Sequence, residues 1–293
     1  MHHRINRALA LAAAAVLLLA TRAAADEIKV MTSGAFTAAH LAVSPEFERT
    51  TRHHIVTVYG ASMGNAPDSI PNRLQRGEAA DVVIMAGQAL DDLIKQGKVV
   101  AGSRVDLARS RIGVAVRAGA PRPDITSIDA LKRALLQAKS IAYSSSASGV
   151  YISTELLPRL GIADAVKAKI RVVESGPVGG AVAKGDAEIG FQQISELLPV
   201  EGIDLVGPLP AGAQRVTVFS AGIAASSTAP EAARALIAYL SSRAVAPALR
   251  KTGLEPLADE RGRRRGRPAA AHDLDADLAR RLRVGPCEIA LSW

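Results

Sequence analysis

Short β-branched and apolar runs alternate with helical segments over almost the whole chain, and few folds accept that rhythm. Strand-like runs lie at 28–31, 54–59, 81–85, 112–116, 140–143, 172–173, 187–191, 205–206 and 215–223. Between them the spacing and capping predict helices at 36–43, 69–76, 88–96, 127–138, 150–160, 178–184, 230–241 and 244–251. Strands separated by helices pair mostly in parallel, and parallel sheets need cover on both faces. An α/β chain of mostly parallel sheets is therefore expected.

The first unit, IKVMTSGAFTAAHLAVSPEFE, carries the most information. Ile28, Val30 and Met31 form the strand, Thr32 to Ala35 the turn, and Phe36, Ala39, Leu41 and Val43 the apolar side of a helix. Pro45 is expected to bend or end that helix before Phe47. A serine and glycine turn opening a helix collects unpaired N–H groups at the positive end of the helix dipole, which favours anions. Capping of the turn is the ordinary role of such a serine.

Residues 1–25 read as a cleavable secretory signal. Arg4 and Arg7 precede an apolar run from Leu9 to Ala20, and Ala23-Ala24-Ala25 fits a small-residue cleavage pattern, with Asp26 starting the mature chain. No cysteine follows the apolar run, so a lipid anchor is not expected, and the location expected is periplasmic. The single cysteine, Cys287, and the single tryptophan, Trp293, lie at the far end. An exported body without cysteine has to be held by its apolar core. The formal charge is +8. Arg4, Arg7 and Arg22 supply three of these charges, and the segment 258–293, with eight arginines against six acids, supplies two more. The mild excess left on the body draws anions but is no nucleic-acid footprint. The arginine-rich segment 258–293 has no apolar periodicity and is expected to be a disordered tail.

Two stretches, LQRGEAADVVI from 74 and VAKGDAEIGF from 182, share one plan of helix end, glycine, acid and strand. The repeat suggests two lobes with ligand positions outside the carboxyl ends of their strands. The Pro/Gly-rich RAGAPRPD, 117–124, looks like the link between them. Ser33, Gly34, Ala61, Ser62, Ser148, Gly149 and Gln192 would then surround one cleft. Gly60-Ala61-Ser62-Met63-Gly64 is a literal nucleophile-elbow pattern, but His40, His53 and His54 all precede Ser62 and the later His272 is in the tail. Without a base the hydroxyl is a poor nucleophile. The adjacent His53 and His54 lack the spacing of metal ligands, and no metal site is expected.

The order of IKVMTSGAFTAA, LQRGEAADVVI, RSRIGVAV, SASGVYISTELLPRLGIAD, VAKGDAEIGFQQISEL, RVTVFSAGI and the helices up to GLEP resembles that of periplasmic solute-binding proteins of ABC importers, in the molybdate-binding class. The resemblance spans residues 26–257. It implies a type II periplasmic-binding fold: lobe I from 26–112 plus 218–257, lobe II from 113–217, and crossovers near 110–116 and 213–220. It also implies a small anionic ligand, a membrane permease and ATPase as partners, a monomer, no nucleic acid, no cofactor and no enzymatic activity. The family's oxyanion-binding positions fall on Ala35 with Ser33 close by, on Ser62 or Met63, on the amides at Ser148 and near Val178, and on Gln193 where the family has a tyrosine. Every departure keeps the site neutral. A molybdate- or tungstate-type oxyanion is the expected ligand, a small organic carboxylate is the alternative, and use as a sensor remains open.

Overall fold

The computed structural model describes residues 25–257. The expected signal up to residue 24 and the expected tail from 258 lie outside them. The first strand, β1 (Glu27–Ser33), passes directly into α1 (Gly34–Thr51). β2 (His54–Gly60), α2 (Ile70–Gln75), β3 (Val82–Ala86) and α3 (Gly87–Lys95) follow. β1 pairs in parallel with both β2 and β3.

Of the two outcomes expected at Pro45, a bend or an end, the end does not occur: α1 continues six residues beyond it to Thr51. Proline removes the N–H that would reach the Leu41 carbonyl, at a point where the helix carries an exposed residue, Leu41. Phe47, beyond the proline, is buried, with its ring centroid 5.5 Å from that of Tyr239. Burial of such a side chain contributes about 1.5–3 kcal/mol, enough to hold the second half of the helix in line.

β4 (Val105–Arg117) is a single strand of 13 residues that serves both lobes. Its first part, to Arg111, pairs antiparallel with β9 (Val216–Ile223). From Ile112 on it pairs with β7 (Ile189–Gln193) and β8 (Ile203–Pro208). The passage between lobes is thus inside β4, and RAGAPRPD begins where β4 already belongs to the second lobe. The Pro/Gly signal marked a surface turn after the strand. At the crossing, the Gln214 side chain accepts from the Ile112 N–H at 2.9 Å and donates to the Ile112 carbonyl at 3.0 Å, acting as one extra rung of ladder.

The second lobe contains α4 (Ile128–Gln137), β5 (Ile141–Ser144), α5 (Ala147–Tyr151), β6 (Ile170–Val173), α6 (Val178–Lys184), β7, α7 (Ile194–Leu197) and β8. α5 continues through one π-helical turn, Ile152–Leu156. β5 pairs in parallel with β6 and β7. The chain then returns through β9 to α8 (Pro230–Leu240), α9 (Ala246–Lys251) and the short β10 (Glu255–Pro256) on β4. The full order is β2-β1-β3-β9-β4-β7-β5-β6. Each lobe therefore has a parallel centre, with antiparallel strands where β4 and β9 enter. One core forms around Phe36, Phe47, Phe219 and Leu236, and a separate one around Leu131, Leu135, Ile152 and Phe191. This is the two-lobed periplasmic-binding-protein fold. The repeated plan is also present: Gly77 and Gly185, at φ of 80° and 85°, end α2 and α6 before β3 and β7. No helix among the described residues is long and apolar enough to cross a membrane.

Candidate functional site

The carboxyl ends of β1, β2, β5, β6 and β7 converge on a cleft of about 480 Å³, within the range of small-molecule sites. Ser33, Gly34 and Ala35 line it from the β1–α1 junction, and Ala61 and Ser62 from the end of β2. Ser148 enters from α5, and Gln192 and Gln193 from the end of β7. Gly149 and Val178 do not line the cleft. A Cβ at Gly149 would stand 1.5 Å from the Ser144 carbonyl oxygen, so glycine there lets α5 pack on the strand end. Val178 buries its side chain in the lobe core and gives its N–H to Gln192 Oε1 at 2.8 Å.

The serines differ in a way that sequence alone hides. Ser127 caps α4 by accepting from the Ala130 N–H. Ser33 occupies the same position on α1 but makes no side-chain cap, and its buried Oγ has no partner. The ordinary capping role therefore does not occupy Ser33, and its hydroxyl remains free to meet a ligand. Ser62 Oγ accepts from the Ala86 N–H at 2.9 Å, which fixes the end of β2 against β3 and leaves its own proton to donate. Ser195 Oγ and Gln193 Oε1 are further buried atoms without partners beside the cleft. Thr37, Ser144 to Ser146, Ser175 and Tyr59 add to the polar lining.

Among the described residues no lysine or arginine lines the cleft. Asp68 and Glu174 line it as well, and Ser175 Oγ donates to Asp68 Oδ2 at 3.3 Å from one lobe to the other. Glu196, in the first turn of α7, lines the cleft too. Its Oε1 accepts from Gln192 Nε2 at 2.9 Å. Since the Val178 N–H requires an oxygen opposite it, the Gln192 amide is turned so that its nitrogen faces Glu196. Burial pushes the Glu196 carboxyl up to about 7, against hydrogen bonds from Gln192 and the Gln193 N–H. Glu196 also lies over the start of α1: a Cβ at Gly34 would stand 2.2 Å from Glu196 Oε1. Glycine at 34 is therefore a matter of room for this carboxyl.

Sequence reasoning missed Glu196. Gln193 at the N-cap and Glu196 three residues on is the spacing of a helix-capping box, in which an acid reaches back to the N-cap N–H. That structural role accounts for the residue, and nothing local shows that its carboxyl also faces a cleft built by other strands. Among the described residues no group of histidine, cysteine, aspartate and glutamate is arranged to hold a metal.

The model of the bacterial extracellular solute-binding protein family matches residues 28–255. An aconitate isomerase from Pseudomonas sp is 46% identical over 251 residues, covering 84% of this chain and 96% of that protein. The molybdate-binding protein ModA of Azotobacter vinelandii is 31% identical over 185 residues, 61% of this chain and 69% of that one. The solved periplasmic molybdate-binding protein of Azotobacter vinelandii superposes with a TM-score of 0.63 at 22% identity, over 78% of this chain and 98% of its own. The isomerase overturns the expectation that this chain is not an enzyme. That expectation came from the resemblance to binding proteins, with the missing histidine base excluding only a serine nucleophile, and near-full-length likeness to an isomerase removes the ground for excluding catalysis. The match over nearly all the described residues, together with the two-lobed fold and the cleft between strand ends, shows that the chain belongs to the bacterial extracellular solute-binding proteins, in the class resembling the molybdate-binding proteins.

Proposed function

We propose that the chain binds a small polycarboxylate in the cleft and interconverts the geometric isomers of aconitate. The observation that carries this reading is the 46% identity to an aconitate isomerase across 96% of that protein. The cleft supports it chemically. A tricarboxylate presents only acceptors, and the site offers hydroxyls, amides and the first N–H groups of α1. Each hydrogen bond to a charged acceptor contributes about 1.5–3 kcal/mol, so several suffice for micromolar affinity, near −8 kcal/mol, after the cost of association. The lobes are taken as 26–112 plus 218–257 and 113–217, with a cleavable signal delivering the protein to the periplasm.

Family membership supports a second use, capture of a small anion for a membrane permease and ATPase. The position that the resemblance gives to an oxyanion-reading tyrosine carries Gln193, so that hydroxyl donor is missing here. One set of measurements separates these readings. Purified protein is incubated with cis-aconitate and followed by proton NMR, while calorimetry is run with tricarballylate, the saturated analogue, and with molybdate, tungstate and sulfate. Formation of trans-aconitate and heat from tricarballylate are expected. Heat from molybdate or tungstate alone, with no isomerisation, would sink the proposal in favour of oxyanion capture.

A further inference from the structure

On the reading that the chain isomerises aconitate, we infer that Glu196 is its catalytic base, a single carboxyl that carries a proton from one end of the substrate's three-carbon unit to the other. Rotation about a carbon–carbon double bond requires that its π bond be interrupted. In aconitate the methylene group next to the double bond offers a route that needs no nucleophile. Its C–H bond breaks, the proton goes to a Glu196 oxygen, and the electron pair joins the double bond to give an allylic anion spread over three carbons and their carboxylates. The Glu196 O–H then returns the proton to the far carbon, where the electron pair closes a new C–H bond. The double bond now lies on the former methylene side. Its geometry is set by how that bond was turned in the site. Nothing is oxidised or reduced, and the carboxylate is regenerated.

Three observations place Glu196 in this role. It is the cleft-lining carboxyl that is bonded to a cleft amide, whereas Asp68 meets Ser175 across the lobes and Glu174 is exposed. The Gln192 amide, locked by the Val178 N–H, aims its nitrogen at Oε1 and orients the group. Gly34 leaves room for that oxygen over the start of α1, beside the unpartnered Ser33 hydroxyl. One carboxylate oxygen is thus held by the protein while the group still borders the cleft. Partial desolvation makes the carboxylate a stronger base than an exposed one, and the negative charge of a bound tricarboxylate increases that basicity further. Protons beside carboxylates are weakly acidic, so this is the direction the reaction needs.

The test compares the wild type with Glu196→Gln, using cis-aconitate for turnover and tricarballylate for binding. Glu196→Gln should bind tricarballylate as tightly as wild type or more tightly, since a charge facing the anion is gone, while kcat falls about 100- to 10,000-fold. With substrate deuterated at the methylene, one of the two deuterons should leave its carbon during wild-type turnover. Should Glu196→Gln not fold, Gly34→Ala keeps the carboxyl in the chain but takes its space, and kcat should fall at least tenfold in a folded protein. Wild-type turnover with Glu196→Gln within tenfold of it, an unchanged kcat in folded Gly34→Ala, or label that stays wholly on its carbon would each overturn the assignment of Glu196 while leaving the isomerase reading intact. Tricarballylate binding by a wild type that never isomerises cis-aconitate would instead defeat the isomerase reading, and this inference with it.

Discussion

Replacing two serines separately, Ser33→Ala and Ser62→Ala, tests whether the cleft is a cage of donors. Both hydroxyls line the cleft and both residues are buried. They differ in what else they hold. Ser62 Oγ accepts from the Ala86 N–H at 2.9 Å, so alanine at 62 leaves a buried backbone donor unpaired. That costs about 1–3 kcal/mol, or roughly 2–12 °C of melting temperature for a protein of this size. Ser33 Oγ has no partner, so alanine there removes no bond, and stability should hold within about 0.5 kcal/mol. Toward the ligand the two are alike. Each can donate one hydrogen bond to a carboxylate, worth about 1.5–3 kcal/mol, so each substitution should weaken tricarballylate binding roughly 10- to 150-fold. Calorimetry gives the affinities, and thermal denaturation of ligand-free protein gives the stabilities. Loss of affinity with unchanged stability in Ser33→Ala, and loss of both in Ser62→Ala, is the expected pattern. If Ser33→Ala binds within twofold of wild type, the free hydroxyl does not face the ligand and the argument from its missing partner is wrong.

Three other outcomes are expected. The raised Glu196 pKa of about 7 means that the folded state binds more protons than the unfolded one between the ordinary glutamate range and neutrality, so its ionisation removes stability as pH rises through that window; Glu196→Gln should gain on wild type from pH 5 to pH 8, by at most on the order of 3 kcal/mol, and a constant gap between their melting curves would contradict this. Burial alone would push the Asp81 carboxyl up, but bonds from the Lys29, Thr228 and Ala229 N–H groups and the Ser227 hydroxyl outweigh it and hold its pKa down; this stability is present above the unfolded aspartate pKa and is lost as pH falls through the folded one, and Asp81→Ala should cost on the order of 3 kcal/mol in a denaturant titration at pH 7, with a smaller gap in acid. Lobes joined through β4 and β9 should close on the ligand by bending there, so small-angle scattering should give a smaller radius of gyration with tricarballylate than without it.

Much of the fold was legible because the strand ends carry their own punctuation. Gly77 and Gly185 mark helix ends that the local pattern alone predicts, since a positive φ suits glycine. The failures came where tertiary contact outweighed a local signal. Pro45 stays helical because Phe47 is anchored in the core beyond it. His53 and His54, adjacent in sequence, separate: His54 faces solvent beside Glu48, while His53 accepts from the Asp26 N–H and stacks on Phe47. Composition pointed to a Pro/Gly-rich turn as the link between lobes, whereas the resemblance put the crossing near 110–116, where it lies inside the regular strand β4. At the cleft, the serine and glycine turns were readable from their place after strands. Whether a given hydroxyl is spare or engaged depends on a partner far away in sequence, as with Ser62 and Ala86. Glu196 was hidden for the same reason, its local capping pattern being complete without any ligand.

The place of β9 between β3 and β4 also dictates the order in which this chain can assemble. A chain emerging from its amino end presents β1, β2 and β3 long before Val216–Ile223, the strand that must lie beside β3. The second lobe, contiguous in sequence, can close in the meantime. The first lobe waits with the edge of β3 open and Val82, Ile84 and Phe36 uncovered, which is the kind of exposed edge that pairs with the wrong partner. Its completion brings together ends separated by the entire second lobe, a long loop to close and a slow step. A late strand thus seals the lobe that was begun first, and any chain stopping short of residue 216 leaves that edge permanently open.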